Sequence, residues 1–282
     1  MGESLKEYLP ADYAVGHFVG RANSPEGPCV IVLRNGELFD ITSQVSTVSG
    51  AIARRQFGDG MRIGDVDSGL PDGWELLTPI DLQCVKACGV TFALSAIERV
   101  IEERALGSAQ KAAEIRQALE EKVGAGIRSV VPGSKEADEL KYALIEEGMW
   151  SQYLEVAIGP DAEIFSKSPV LSTVGAGAEI GVRSDSSWNN PEPEVVLVCD
   201  ADGTVVGATL GNDVNLRDFE GRSALLLSKA KDNTASCAIG PFIRLFDDDY
   251  TIEDVRSADV ELTIEGPEGY LLEGRNEMSE IS

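Results

Sequence analysis

The chain has one histidine, His17, in 282 residues, and it lies far in sequence from every motif discussed below. It reads as a structural residue. Cysteine is also sparse. Five is an odd number, and Cys84 and Cys88 have no second Cys or His pair beside them, whereas a zinc site needs about four such ligands. Reduced thiols in a cytoplasmic protein are the simpler expectation. Positive charge is scarce, with 24 basic against 48 acidic residues and a net charge of -24. Such a surface repels phosphate backbones and anionic membranes, so nucleic-acid binding and membrane attachment are excluded as expectations. No apolar run approaches the length of a membrane span. The first residues hold no basic stretch followed by an apolar one, so they do not read as a signal peptide. Met1-Gly2-Glu3-Ser4 begins like a myristoylation signal, but Lys6 stands where Ser or Thr is needed.

What is present suits a soluble globular fold. Hydrophobic residues make up 43% and charged residues 26%, and 282 residues can bury a sizeable core. Residues 1–80 read as a small N-terminal β-rich domain. There Cys29–Leu33 is an apolar run closed by the hairpin signal Asn35-Gly36, and Glu37–Ile41 alternates polar and apolar. Residues 81–150 change to helical spacing. Leu94, Ile97, Val100 and Ile101 mark one helix, about 108–123 a second, and about 134–147 a third that ends at Gly148. This block reads as a lid helix and helical insert. From Gln152 to Ser282 strand patterns return. Val195–Val198 reads as a strand buried on both faces, and Asp200-Ala-Asp202-Gly203 as the turn to a partner strand, Thr204–Leu210.

Chemistry concentrates in Trp188-Asn-Asn-Pro191-Glu192-Pro193-Glu194 and Gly211-Asn212-Asp213. Alternation along a strand puts Glu192 and Glu194 on one face, where two anions repel unless solvent, a basic residue or a cation intervenes. The turn at Asp202-Gly203 can bring Asp213 to the height of Glu192. Three carboxylates so placed suit Mg²⁺ or Mn²⁺ with positions left for water or a chelating substrate. A solvated edge strand in an acid-rich chain accounts for the same pattern, and Pro193 itself marks an edge or a strand entry.

The order of motifs resembles the fumarylacetoacetate hydrolase superfamily. The resemblance rests on Glu192-Pro-Glu194, then Asn212-Asp213-Val-x-x-Arg217-Asp218, then Ala230-Lys231-x-x-Thr-Ala-Ser-Cys237. The run Arg183-Ser-Asp-Ser-Ser-Trp188 ahead of Pro191 is similar to one branch, the 2-keto-3-deoxy-pentonate (arabinonate or xylonate) dehydratases. The match covers about residues 160–245, with a weaker stretch at 86–104. The resemblance implies an α+β, mainly β fold, a mixed β-sandwich roll with a helical insert, and a homodimer or tetramer. It implies Glu192, Glu194 and Asp213 as metal ligands and Lys231 as the active-site lysine beside a bound 2-oxo acid. Phe165-Ser-Lys167 resembles the superfamily's Phe-x-Lys segment, so Lys167 is either a substrate-binding residue or a surface lysine.

Two departures refine the expectation. The hydrolases of this superfamily carry His and Glu on a lid helix to activate water. Here the segment reads Gly89-Val-Thr91-Phe92-Ala-Leu-Ser95-Ala-Ile-Glu98, with Ser95 at the histidine position. A Ser hydroxyl is no base near neutral pH, so dehydration is favoured over C–C hydrolysis. The expected activity is a magnesium-dependent hydro-lyase of oxidative pentose catabolism, converting a 2-keto-3-deoxy-pentonate to 2-oxoglutarate semialdehyde. Lys231 and Glu98 are its candidate catalytic residues, and Ser95, Lys167 and Lys231 its candidate substrate contacts. Second, the superfamily continues for several dozen residues past a segment like Glu273–Ser279, so the catalytic region 151–282 is expected to be incomplete at its C-terminus. The alternatives are a hydrolase of 2,4-diketo acids and an inactive truncated fragment.

Overall fold

The computed structural model describes residues 4–89, 100, 101, 104, 110, 111, 113–117, 130–146 and 148–280. Its main sheet grows from the hairpin the sequence signals. β1 (Phe18–Ser24), β2 (Gly27–Arg34) and β3 (Glu37–Asp40) run antiparallel in succession. Asn35 and Gly36 join β2 to β3 with φ of 51° and 74°, the left-handed pair that a two-residue turn needs to follow strand twist. β4 (Met61–Asp65) extends this edge. β5 (Glu75–Leu77) pairs with the second half of β1.

The chain next passes through β6 (Val85–Cys88) and β7 (Ile164–Ser168), a two-residue β8 (Asn189–Asn190), β9 (Pro193–Cys199), β10 (Val205–Asp213), a two-residue β11 (Asn215–Leu216) and β12 (Cys237–Leu245). β12 adds to the first half of β1, with Phe18 opposite Arg244, so the sheet order is β4-β3-β2-β1-β12-β10-β9 with β5 also on β1. Because of that pairing, residues 1–86 and 166–275 form one compact unit, and residues 87–165 with 276–282 form a second. The outcome is a mixed α+β fold, mainly β.

Cys29 through Leu33 are all buried, because β2 is central and covered on both faces. Val30 and Val32 pack with Val19, Ile52 and Ile243 on one side. Cys29, Ile31 and Leu33 pack with Phe18 and Phe242 on the other. Each such side chain stabilises the fold by roughly 1.5–3 kcal/mol. β9 differs from expectation. It is the edge strand, and Leu197 is exposed while Val198 is buried, so Val195–Val198 is covered on one face only. An apolar run by itself does not distinguish a central strand from an edge.

In the second unit, α2 (Lys135–Glu146) matches the third expected helix. The hydroxyl of Ser134 accepts from the Ala137 amide at 3.1 Å as its cap. Gln152–Ile158 forms a helix, α3, where strand was expected. Leu154, Ala157 and Ile158 bury one face at i, i+3, i+4 spacing, a pattern too short to stand out in the sequence. All five cysteines are free thiols. Among the described residues, no helix is long and apolar enough to cross a membrane.

The first helix, α1 (Val48–Arg54), packs Val48, Ala51 and Ile52 into the sheet's core. Its first turn is held by Thr47, whose hydroxyl accepts from the Gly50 amide, and by buried Asp81, which accepts from the Val48 and Ser49 amides at 2.6 and 3.0 Å. Asp81→Ala strands those two donors and is expected to lower stability by about 1–3 kcal/mol in urea unfolding. An unchanged midpoint would show that the helix does not need this remote cap.

Candidate active site

The β9–β10 pairing positions the carboxylates. Pro193 has no amide hydrogen to donate, and Asn212 lies opposite it. The Asn212 side-chain oxygen instead accepts from the Glu192 amide at 3.0 Å, and the Asp213 amide donates to the Glu192 carbonyl at 2.9 Å. These two bonds lock Asp213 beside Glu192, and Gly211 stands opposite Glu194. Strand alternation then turns Glu192, Glu194 and Asp213 to the same face. Gly211 is required there, because a Cβ would approach Val196 Cγ2 to 2.6 Å. The turn at 200–203 that sets this register is held by Gly203, with φ of 82°, and by the Asp200 carboxylate.

Two lysines converge on these carboxylates. Lys231 ends the short helix α5 (Leu227–Lys231), which follows α4 (Arg217–Glu220), and it is buried. Its ammonium donates to Glu192 Oε2 in a very short contact and to Asp213 Oδ2 at 3.0 Å. Lys167, on β7, is 0% exposed, so it is not a surface lysine. Its ammonium donates to the carbonyls of Val214 and Lys231 at 2.8 and 2.6 Å. It also lies 2.9 Å from Asp213 Oδ1, an ion-pair distance, although no hydrogen bond is aligned on that oxygen. The hydroxyl of Ser236 donates to the Lys231 carbonyl as well, which pins the end of α5.

Asn215, fully buried on β11, completes the cluster. Its amide nitrogen donates to Glu192 Oε1 at 3.0 Å and to Glu220 Oε2 at 2.6 Å. Two acceptor-only partners fix which end of the amide faces them. Farther out, Asp218 accepts from the Ser186 hydroxyl at 2.8 Å and the Ser187 amide at 3.1 Å, tying the 183–188 segment to α4.

The charges do not cancel. Burial and then the like charges of Asp213 and Glu192 push the Glu194 carboxyl up to about 7. The Glu194 residue is itself exposed, so solvent tempers the contribution of burial, while the repulsion from its two neighbours stands. Burial disfavours the Lys231 ammonium, but the combined pull of Glu192 and Asp213 holds its pKa above the ordinary lysine value. Lys167 goes the other way, because burial outweighs Asp213. Burial likewise raises the nearby Cys237 thiol to about 11.

A hard divalent cation fits this donor set. It would relieve the crowding around Glu194, and the buried Asp213 Oδ1 accepts no hydrogen bond. As placed, no three His, Cys, Asp or Glu side chains among the described residues stand close enough to enclose an ion. The Lys231 ammonium lies between two of the carboxylates.

Glu192, Asp213, Lys231 and Lys167 are thus in direct contact, and Glu194 shares their face. Ser95 and Glu98 lie outside the described residues. Asn215 and Glu220 were not singled out from the sequence, and Gly211 and Asn212 entered only as part of the motif around Asp213. The run Gly211-Asn-Asp-Val-Asn215 carries most of them, but nothing in it tells which polar side chains turn inward. Asn215→Leu keeps the volume and leaves the Glu192 and Glu220 carboxylates without their shared donor. It is expected to lower the unfolding free energy by about 2 kcal/mol. A variant as stable as the parent would show that the bridge contributes nothing.

No family model matches the chain. Over 120 residues it is 39% identical to a probable 2-keto-3-deoxyxylonate dehydratase of Haloferax volcanii, covering 43% of this chain and 40% of that protein. Over 102 residues it is 41% identical to a 2-dehydro-3-deoxy-D-arabinonate dehydratase of Saccharolobus solfataricus, covering 36% and 33%. The matched stretch therefore spans less than half of either relative. The solved apo form of 2-keto-3-deoxy-D-arabinonate dehydratase superposes with a TM-score of 0.65 at 22% identity, over 94% of this chain and 78% of that one. The structure of that dehydratase complexed with magnesium and 2,5-dioxopentanoate gives 0.64, with the same identity and coverage. At such identity the superposition speaks for the fold alone. The chain thus shares the fold of 2-keto-3-deoxy-D-arabinonate dehydratase, and its sequence is similar to 2-keto-3-deoxy-pentonate dehydratases over less than half of their length.

Proposed function

We propose that this protein dehydrates a 2-keto-3-deoxy sugar acid, a 2-keto-3-deoxy-pentonate, to 2-oxoglutarate semialdehyde. Mg²⁺ or Mn²⁺ would be held by Glu192, Glu194 and Asp213. The observation that carries the reading is the shared face of these three carboxylates, backed by two buried lysines. Support also comes from the two dehydratases that the chain matches at 39% and 41% identity, and from the magnesium in the complexed dehydratase of like fold. The expected setting is the cytoplasm, as a dimer or tetramer.

When bound, the cation supplies Lewis-acid polarisation of a 2-oxo acid. The chain's own residues do the rest. Lys231 brings a positive charge to the floor of the site, where it holds an anionic substrate oxygen or passes a proton. Lys167 keeps Lys231 in place through the backbone carbonyl it binds and neutralises Asp213 from behind. Its ammonium is committed to those groups, so we assign it positioning rather than substrate contact. Elimination needs a proton to leave C3 and a hydroxyl to leave C4, and no activated water. That matches Ser95 at the position where hydrolases hold their histidine. Glu98 is assigned to protonating the departing hydroxyl. The resulting 5-hydroxy-3-ene then tautomerises to the semialdehyde as protons leave C5 and its hydroxyl and C3 and C4 each gain one.

The test is a coupled assay for semialdehyde with 3-deoxy-2-oxo acids, with and without Mg²⁺. Glu194→Ala is expected to reduce turnover by about 10²-fold or more. Near-wild-type turnover in that variant would remove Glu194 from the site. Release of pyruvate from a 2,4-diketo acid, with no semialdehyde from any 3-deoxy acid, would replace dehydration by hydrolysis.

A further inference from the structure

We propose that Lys231 is a built-in counter-ion that competes with the divalent metal for its own ligands. The inference rests on the metal assignment above and adds to it how the metal-free site is held and how metal affinity is set. In the cluster, Glu192 Oε1 accepts from Asn215, and Glu192 Oε2 and Asp213 Oδ2 accept from Lys231. The fourth oxygen, Asp213 Oδ1, touches the Lys167 ammonium. The two inner carboxylates are therefore already gathered around positive charge. A cation entering between them meets a unit positive charge within hydrogen-bond distance of two prospective ligand oxygens, and the sign of that interaction is repulsive.

The two lysines are not equivalent. Lys167 binds backbone carbonyls of Val214 and Lys231, which cannot move without displacing β12's neighbours and the end of α5. The ammonium of Lys231 bonds to side-chain carboxylates, on a flexible four-carbon stem. Its backbone carbonyl is pinned by Lys167 and Ser236. The Lys231 side chain can thus swing aside while its backbone stays fixed, and it is the group that yields to metal. Without metal it keeps the half-buried Glu192 and the buried Asp213 carboxylates from repelling each other. With metal it is released toward the substrate side of the same site.

Metal-free wild type, Lys231→Met and Lys231→Gln are titrated with MnCl₂ and MgCl₂ by calorimetry at one fixed pH, and their thermal unfolding is followed in chelator and in excess Mg²⁺. Both variants are expected to bind Mn²⁺ about tenfold tighter or more. They are also expected to melt lower than wild type in chelator and to recover more on adding Mg²⁺. Lys231→Gln keeps a donor for the carboxylates and carries the comparison if Lys231→Met does not fold in chelator. Equal or weaker metal binding in the folded variants overturns the proposal and leaves the metal site standing. Binding by none of the three proteins overturns the metal assignment and this inference together.

Discussion

Three carboxylates gathered on one sheet face repel one another, and the surroundings of the candidate site answer that repulsion. Lys231 bridges Glu192 and Asp213, Lys167 backs Asp213, and Asn215 bridges Glu192 to Glu220. Glu194 has no comparable partner in this set and is pushed up to about 7. The unequal treatment of the three acids gives the site its character. Two are tied down by protein donors, and the third is left exposed with its carboxyl raised by its neighbours.

The sheet makes this arrangement possible at small entropic cost. β9 and β10 are joined by a tight turn, so Glu192 and Asp213 become neighbours through a local hairpin. The lysines come from farther away in the chain. Lys167 arrives on β7 and Lys231 on α5, and both meet Asp213 only because β10 pairs with β12 and Cys237 follows directly after the turn beyond α5. Like charges are brought together locally, and opposite charges from a distance.

Chemically, the cluster joins acids to an ammonium. It holds oxygen donors for a hard cation and an ammonium for an anionic oxygen. The chain's single histidine, His17, lies on the approach to β1, where its carbonyl accepts from the Leu245 amide. The acidic surface, with a net charge of -24, would slow rather than steer an anionic substrate.

Local patterns were legible wherever one residue type constrains the backbone. Asn35-Gly36 announced the β2–β3 turn, Asp202-Gly203 the β9–β10 turn, and Ser134 the start of α2, because these residues act on their immediate neighbours. Alternation put Glu192 and Glu194 on one face for the same reason. The helix at Gln152–Ile158 was missed because seven residues show too few turns for a period to register, and β9 was misread because an apolar run does not say how many neighbours it has. By itself, the sequence determined the order of the acidic motifs and the hairpin that aligns them. Tertiary structure alone decided that Lys167 is buried rather than exposed, that Asn215 bridges two acids, and that Lys231 stands between Glu192 and Asp213. Those three facts depend on segments far apart in the chain, and the free energy of burying charge is settled only when the opposite charge is in place.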